Sequence, residues 1–294
     1  MNILKRSNKL STQKEYSAVI VEYHSGEYLF KCIDSLMAQT LLPIKIVVVN
    51  NGTSKTTLTK LQKYDKVQVI NPSANLGYAK AANLGISNTD SKIVATLNPD
   101  IELEPDCATL LVEYLQENPK TAAIGPMIFE ADGSIYPSAR KNPSLKIAVG
   151  HALFSLFKKD NKYSEEYRNA NIEKEAPSKV DWLSGAAMFL TRDALDEVGL
   201  WDERFFMYCE DIDLCNSLRS KGYDCVYEPR AKIIHVGGVS TKKTPIKLLY
   251  FHHKSLYLFA AKKYHDKPLL KLFALIFIAI RLPFAIIKSN IHID

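Results

Sequence analysis

Several features that identify common protein classes are missing from this 294-residue sequence. Its five cysteines form no CxxC pair and no zinc-ligand spacing, which favours reduced thiols in a cytosolic protein. The first sixteen residues lack the apolar core of a secretory signal, so residues 1–16 are interpreted as a polar N-terminal extension. Neither GxGxxG nor GxxxxGK[ST] occurs, which leaves an NAD or ATP interpretation without the residues it needs.

Positive charge is also missing from most of the chain, although the formal net charge is +6. From Ser240 onward ten basic residues face two acids, a balance of +8, and the remainder has a balance of −2. A protein that wraps nucleic acid would carry basic residues over its recognition face. We therefore expect no nucleic-acid partner, and the positive excess belongs to a tail at 241–294.

No apolar run in the tail reaches the ~20 residues that a membrane-spanning helix needs. The pattern predicts helices at 246–264 and 268–288, and the second is apolar on nearly all sides. Its uninterrupted run between Lys271 and Arg281 is nine residues, and Pro283 follows. These features favour a helix that lies in an anionic membrane surface. A spanning helix, a buried helical appendage and a dimer interface are the alternatives.

Apolar, β-branched segments alternate with helical patterns through the first hundred residues. The strands are predicted at 17–23, 44–49, 67–70 and 92–97, with helices near 27–39, near 54–64 and after Gly77. This alternation is typical of a doubly wound α/β domain with a mostly parallel sheet.

The fourth of these strands ends in Leu97-Asn98-Pro99-Asp100. Proline stops the strand, so Asp100 lies at its carboxyl end, where open α/β sheets bind ligands. Asn98 can face the same crevice, and oxygen ligands of this kind suit a divalent cation shared with a diphosphate. An Asx turn before a helix near 106–117 is the alternative interpretation.

After the helix near 106–117, the regular alternation of strands and helices in the sequence pattern ends. Strands at 122–129 and 132–136 are predicted around an Asp-Gly turn, and 158–178 is predicted to be a mobile surface loop. Three acids, Glu210, Asp211 and Asp213, begin a helix, an arrangement that the helix dipole alone would favour. Such crowding should raise the pKa of Asp211. Two more strands, 223–228 and 232–235, complete the body.

Seven stretches, in order over about residues 17–240, resemble the inverting, nucleotide-sugar-dependent glycosyltransferases of family 2, and most of all its rhamnosyltransferase-like members. The stretches are VIVEYHSGEYLFKCIDSLMAQT, IVVVNNGTS, NLGYAKAANLGI, LNPDIEL, VDWLSGAAMFLTRDAL, GLWDERFFMYCEDIDLCNSLRSKGY and AKIIHVGG. The resemblance implies a GT-A fold, a Rossmann-like sheet flanked by helices. It divides 17–240 into a nucleotide-sugar-binding half, 17–104, and an acceptor-binding half, 105–240.

The resemblance also implies roles for individual residues. Asp100 would hold Mg²⁺ or Mn²⁺ against the donor diphosphate, and His235 would complete the metal site unless it is an ordinary histidine at a strand end. Asp211 would be the general base, with Glu210 beside it. The donor-binding candidates are Glu22, Tyr23, Asn50, Asn75, Gly77, Lys80 and Asn98. The acceptor-binding candidates are Trp182, Gly185 and Asp213, and Trp182 is either a sugar-stacking platform or a core residue.

Two positions depart from the family pattern. Asn50 stands where an aspartate usually accepts a hydrogen bond from the base, and Asn98 replaces the first acid of the DxD motif. The amide oxygen of Asn50 can still accept, while its donor group could alter the base preference. One carboxylate in place of two should weaken metal affinity.

The resemblance, together with the basic and apolar tail, implies transfer of L-rhamnose from dTDP-rhamnose to a polyprenyl-diphosphate-linked saccharide, by an enzyme attached peripherally to the cytoplasmic face of the membrane. A UDP-hexose or UDP-N-acetylhexosamine transferase of the same fold is the nearest alternative. An idle, membrane-bound sugar-binding scaffold is the non-enzymatic one. A nucleotidylyltransferase would need a Gly-rich, basic first loop, which His24-Ser25-Gly26 does not provide.

Overall fold

The computed structural model describes residues 14–52, 59–142, 147, 150, 161–168, 172, 175–237 and 245–291. The strands in this part of the chain are β1 (Ser17–Glu22), β2 (Lys45–Asn50), β3 (Val67–Ile70), β4 (Ile93–Leu97), β5 (Ile101–Leu103), β6 (Thr121–Glu130), β7 (Ile135–Tyr136), β8 (Ala139–Arg140), β9 (Ser178–Val180), β10 (Trp182–Leu183), β11 (Ala187–Thr191) and β12 (Asp224–His235). The helices are α1 (Glu27–Met37), α2 (Tyr78–Ile86), α3 (Cys107–Glu117), α4 (Lys162–Tyr167), α5 (Arg192–Val198), α6 (Glu210–Ser220), α7 (Pro245–Lys263) and α8 (Pro268–Ile291).

One large sheet joins both halves of the body, in the order β3-β2-β1-β4-β11-β6-β12-β5. The first four strands are parallel, which confirms the doubly wound first half. Strand β11 is antiparallel to both of its neighbours, β4 and β6, so the sheet is mixed beyond this point. Strands β6 and β7 form the predicted hairpin around Asp132-Gly133. The mostly parallel α/β architecture was therefore predicted correctly.

Helices cover both faces of the sheet because each central strand is apolar on both faces. In β1, Ala18 and Ile20 pack toward α1 and α3, while Val19 and Val21 pack toward α2 and α6. Helix α2 approaches β1 closely because Gly85 has no side chain, and a Cβ there would collide with Val19. The carboxyl ends of the strands remain open between these layers, and this is the region where ligands bind in such sheets.

Strand β12 is one long strand, although two separate strands were predicted at 223–228 and 232–235. Its pairing with β6 shifts register between Glu228 and Lys232, so the residues between them bulge while the strand continues. The last residues of β12 pair antiparallel with β5, and His235 lies opposite Ile101. This pairing brings the end of β12 next to Asp100, the residue that precedes β5.

The predicted loop at 158–178 was wrong for residues 162–167, which form helix α4. The side chain of Asn161 accepts the backbone N–H groups of Tyr163 and Ser164, an N-cap that starts a helix in a polar segment. Residues 178–180 form β9. Residues 54–58 of the helix expected near 54–64 lie outside the described residues, and 59–61 are helical. Most of the extension 1–16 also lies outside the described residues.

The tail forms two helices, α7 and α8, that pack against each other as a hairpin. Helix α8 continues through Pro283 and is longer than predicted. Within the described residues, Pro268–Ile287 is the one helix long and apolar enough to cross a membrane, with 20 residues and a mean hydropathy of 2.3. One face of α8 is a stripe of large apolar side chains, each more than half exposed: Leu269, Leu272, Phe273, Ile276, Ile280, Phe284 and Ile287. We call these residues the α8 stripe.

Candidate active site

Two cavities lie at the open end of the sheet. The first, which we call the sheet cavity, has a volume of about 410 Å³ and is lined by strand ends and loops. The second, which we call the tail cavity, has a volume of about 360 Å³ and lies between α6 and the helices α7 and α8. Both are of a size that accepts small ligands. They share four lining residues, Tyr136, Tyr208, Glu210 and Asp211, so this wall separates the two.

One corner of the sheet cavity contains Asp100 and His235. Asp100 Oδ1 lies 3.2 Å from His235 Nε2, and the Asn98 amide nitrogen lies 3.4 Å from the same ring atom. The end of β4 supplies Asp100, and the end of β12 supplies His235. The Val236 N–H donates to the Asp100 carbonyl at 3.1 Å and ties the two segments together.

This corner offers one carboxylate and one imidazole. Among the residues that the structure describes, no group of three His, Cys, Asp or Glu side chains could hold a metal alone. Mg²⁺ is often bound by one or two protein groups, with substrate phosphates completing its coordination. The donor set of Asp100 and His235 therefore fits a cation that is shared with a bound diphosphate, and not a closed structural site.

Glu22 and Tyr23 end the first strand and have different surroundings. Glu22 is fully buried, and its carboxylate accepts the Ser25 backbone N–H at 2.9 Å and also the Ser25 hydroxyl. Through these two hydrogen bonds the Glu22 carboxylate fixes the loop after β1. Tyr23 lines the sheet cavity directly.

Asn50 and Asn51 follow β2 and also differ. The Asn50 side chain donates to the side chain of Asn71 at 2.8 Å and accepts the Gly52 N–H at 3.1 Å. Asn51 is buried, lines the sheet cavity and clamps the next loop by donating to the Gly77 carbonyl at 3.0 Å. Sequence reasoning missed Asn51, although its position beside Asn50 in the same motif was a usable signal.

Asn75 and Gly77 line the sheet cavity, and Lys80 is not among its lining residues. The Asn75 side chain accepts the Gly77 N–H at 2.9 Å and shapes the turn into α2. Gly77 has φ +79°, and a Cβ there would collide with the backbone of Phe206. Lys80 is exposed and lies 4.0 Å from Glu203. Glycine is thus required at residue 77 for two independent reasons.

The wall between the cavities is built at the start of α6. Tyr208 and Cys209 have φ values of +69° and +63°, an uncommon conformation for residues with side chains, and they lead directly into Glu210 and Asp211. Asp211 Oδ2 accepts the Gly185 N–H at 3.1 Å, and Oδ1 accepts the Ile212 N–H at 2.8 Å. The backbone therefore fixes this carboxylate between the cavities.

Glu210 is buried, and within the described chain its Oε2 has no hydrogen-bond partner. Burial, together with the charge of Asp211, raises the pKa of Glu210 to about 8. Burial also raises the pKa of Asp211, while the N–H groups of Gly185 and Ile212 and the charge of Arg140 oppose this rise. The pKa of Asp211 is raised, as predicted, but the main cause is burial and not crowding by neighbouring acids.

The three acceptor-side candidates lie in different places. Trp182 is 5% exposed and lines the tail cavity, where the Arg140 guanidinium lies 4.8 Å from the centre of its ring. Gly185 lines the sheet cavity and holds Asp211. Asp213 lines neither cavity, because its carboxylate accepts from Lys262 of α7 at 2.7 Å. Sequence reasoning missed Arg140, Lys263 and Arg281, which all line the tail cavity and belong to no recognisable motif.

Known structures share this architecture. The chain superposes on residues 1–349 of S. aureus TarS with a TM-score of 0.57 and 14% identity, covering 91% of this chain and 71% of that one. A crystal structure of GalNAc-T7 with UDP, GalNAc and Mn²⁺ matches with a TM-score of 0.57 and 16% identity, covering 85% of this chain and 50% of that one. The architecture is therefore the GT-A fold.

Sequence comparisons give the family. The family model described as "Glycosyl transferase family 2" matches residues 17–199. An N-acetylglucosaminyl-diphospho-decaprenol L-rhamnosyltransferase of Mycobacterium tuberculosis is 36% identical over 259 residues, 84% of each chain. Rhamnosyltransferase WbbL of Escherichia coli K12 is 24% identical over 257 residues, 83% of this chain and 92% of that one. The fold and these matches define a glycosyltransferase. The chain belongs to glycosyl transferase family 2.

Proposed function

We propose that this glycosyltransferase moves L-rhamnose from dTDP-rhamnose to a saccharide carried on a polyprenyl diphosphate, with inversion at the anomeric carbon. The observation that carries the proposal is the position of Asp211 in the wall between two cavities. A donor in the sheet cavity and an acceptor in the tail cavity would meet at this carboxylate. The names of the two relatives support rhamnose as the sugar, and the first relative supports a lipid diphosphate acceptor.

Asp211 is the proposed general base. The acceptor hydroxyl oxygen forms a bond to the anomeric carbon of the donor, and its proton passes to Asp211. The bond from that carbon to the diphosphate oxygen breaks, and its electron pair leaves with the nucleoside diphosphate. Each Asp211 oxygen accepts one backbone N–H and keeps a further lone pair for the acceptor. Burial and the charge of Asp211 raise the pKa of Glu210 to about 8, so Glu210 holds its proton near neutral pH more readily than an ordinary glutamate does.

Asp100 and His235 are the proposed metal ligands, with Asn98 beside them. Bound Mg²⁺ or Mn²⁺ would stabilise the negative charge that develops on the leaving diphosphate. Two protein ligands suffice for a cation that the donor diphosphate also binds. Binding of metal and binding of donor should therefore reinforce each other.

The donor site takes its remaining residues from 17–104, and the acceptor site from 105–240 and the tail. Tyr23, Asn75 and Gly77 line the sheet cavity and are proposed donor contacts, while Glu22 holds the loop that carries Tyr23. Asn50 is the proposed base-recognition residue through its amide. Lys80 and Asp213 would contribute at a distance, through their partners Glu203 and Lys262.

The proposed location is the cytoplasmic membrane surface, with the α8 stripe in contact with lipid. Helix α7 packs along α8 and carries Lys247, Lys254 and Lys262. If α8 crossed the bilayer, the hairpin would draw these charges into hydrocarbon, at a cost of several kcal/mol. A position in the interface buries the stripe, keeps the charges of α7 out of the hydrocarbon and leaves the pairs of Lys262 with Asp202 and Asp213 intact. A dimer formed through the same stripe is the competing arrangement.

Donor identity is tested by thermal unfolding with a panel of nucleotide sugars, with and without Mn²⁺. A donor at a hundred times its Kd should add about 2.7 kcal/mol to the free energy of unfolding. We expect metal-dependent stabilisation by dTDP-rhamnose that is lost in Asp100→Ala. Stabilisation by UDP-sugars alone would keep the mechanism and replace the substrate. A protein that no donor stabilises and that transfers no sugar would be a non-enzymatic scaffold.

The catalytic role is tested by Asp211→Asn. Loss of a general base lowers turnover about 10²- to 10⁴-fold, while the donor should still stabilise the protein. Asp193→Asn is the matched control, since Asp193 is an exposed first-turn acid of α5 outside both cavities. An Asp211→Asn enzyme that retains turnover would contradict the assignment of the base.

A further inference from the structure

The tail cavity is formed jointly by the body and the tail. The body contributes Arg140, Trp182 and Asp211, and the tail contributes Phe259, Lys263 and Arg281 among others. Its lining contains three cations and two acids. The three cations outnumber the two acids, so positive charge predominates at the lining. Cationic groups set among aromatic rings indicate a ligand that is anionic in one part and apolar in another.

The two guanidinium groups are held in place before any ligand binds. Arg140 donates to the Pro137 carbonyl at 2.7 Å and to the Tyr136 hydroxyl at 2.9 Å, and it stacks over Trp182. Its orientation is therefore fixed by the body, independently of the tail.

Arg281 is held by a relay within the tail. His253 Nδ1 lies 2.8 Å from the Leu249 carbonyl, which can only accept, so this nitrogen carries the proton. His253 Nε2 is then an acceptor and receives the Arg281 N–H at 2.9 Å. The neutral imidazole thus orients the guanidinium without neutralising its charge. An arginine whose position is set in this way can recognise an anion at a small entropic cost.

We propose that Arg281 and Arg140, with Lys263 at the rim, bind the diphosphate of the lipid-linked acceptor in the tail cavity. This inference rests on the proposed function and adds the residues that recognise the acceptor. The cavity meets the sheet cavity at Asp211, where the acceptor sugar must present its hydroxyl. The α8 stripe lies on a different face of helix α8 from Arg281, about 100° around the helix axis, and the lipid chain would enter the membrane along the stripe. The tail is thus part of the acceptor site as well as an anchor.

The test compares Arg281→Gln with Lys271→Gln, which removes the same charge from the same helix outside the cavity lining. Two acceptors are used, one with its saccharide on a short prenyl diphosphate and one with the same saccharide joined to that chain by an ether. For the diphosphate acceptor, we expect Arg281→Gln to lower kcat/KM about 10- to 100-fold through the acceptor KM, with the donor KM unchanged. The ether acceptor should react equally with both variants, and Arg281→Lys should recover part of the loss.

A second readout is independent of turnover. In a Trp201→Phe background the fluorescence of Trp182 reports on the tail cavity, and titration with the diphosphate acceptor in EDTA should change it. We expect this response to be lost in Arg281→Gln and retained in Lys271→Gln.

Equal losses in both variants would assign the effect to surface charge and overturn the proposal. An equal loss with both acceptors, together with a lower Tm, would assign Arg281 a structural role instead. If the wild type binds the diphosphate acceptor through Arg281 but transfers no sugar, the proposed function fails while the binding site stands.

Discussion

Glu210 and Asp211 are neighbours in sequence, but the backbone treats their carboxylates differently. Asp211 accepts two N–H groups, whereas Glu210 Oε2 has no partner in the described part of the chain. A buried carboxyl group without donors is more stable when protonated, and one with two donors tolerates its charge better. Two adjacent acids are thereby divided into one that holds a proton and one that can accept it.

This difference predicts a pH dependence of stability. The pKa of Glu210 rises from 4.5 to about 8 on folding, so the folded state binds the proton more tightly than the unfolded state. The contribution of Glu210 to the free energy of unfolding is fully present below pH 4.5 and is lost as the pH rises through about 8. Glu210→Gln cannot ionise, and at pH 8.5 it should unfold about 3 to 6 °C higher than the wild type. Thermal unfolding from pH 5 to 9 measures the effect, and parallel curves for both proteins would rule it out.

Individual site residues were predictable where a motif carried them. Asp100 and His235 were named from two short motifs, and the structure brings them to 3.2 Å. Arg281 could not be named, because its position depends on how the tail folds back on α6. No local pattern encodes that contact, and basic residues in a basic tail look alike in sequence. Arg140 could not be named either, because it lies in the two-residue strand β8, which belongs to no motif.

At the scale of elements, the link between α6 and α7 couples the segment that carries the proposed general base to the tail. Lys262 of α7 donates to Asp213 at 2.7 Å and to Asp202 at 3.2 Å, and Asp202 also pairs with Arg204. Asp213 is buried in the first turn of α6, where burial raises its pKa and Lys262 opposes that rise. This link joins the tail to the helix that begins with Glu210 and Asp211.

Removing the link should loosen the tail. Lys262→Gln leaves Asp213 buried without its cation and should cost about 1–2 kcal/mol, a value reduced by the partial exposure of Lys262. Lys254→Gln, at an exposed position of the same helix, is the matched control and should cost less than about 0.5 kcal/mol. Urea unfolding measures both, and limited proteolysis should cut the tail sooner in Lys262→Gln. Equal losses in the free energy of unfolding for the two variants would show that the link between Lys262 and Asp213 does not hold the tail.

Elements with a clear period were predicted well, because buried parallel strands and amphipathic helices leave strong sequence patterns. The errors occurred where local patterns are weak. Helix α4 depends on the Asn161 cap in a charged segment, and β12 continues through a bulge that looks like a break in the sequence. Tertiary pairing on both edges of β12 decides its continuity, and a single segment does not contain that information.

At the scale of the whole molecule, most of the large apolar side chains that are more than half exposed in the described residues lie in the α8 stripe, and the proposed contact with a membrane would account for them. Phe273→Ser with Ile276→Ser should weaken binding to anionic vesicles about 100-fold or more, since each side chain contributes about 1.5–3 kcal/mol when fully buried. Leu42→Ser with Ile44→Ser, at exposed apolar positions of the body, is the matched control. Vesicle cosedimentation measures binding. A stripe variant that binds vesicles normally but no longer dimerises would identify the stripe as a subunit interface.

The register of β12 limits how the sequence of such a chain can change over generations. Because a strand alternates faces at every residue, one residue gained between the bulge and the end of β12 would turn His235 away from Asp100. The turn at Asp132-Gly133 carries no such dependence and can lengthen without moving the site. A lineage could therefore keep every letter of its motifs and still lose its chemistry through a single inserted codon.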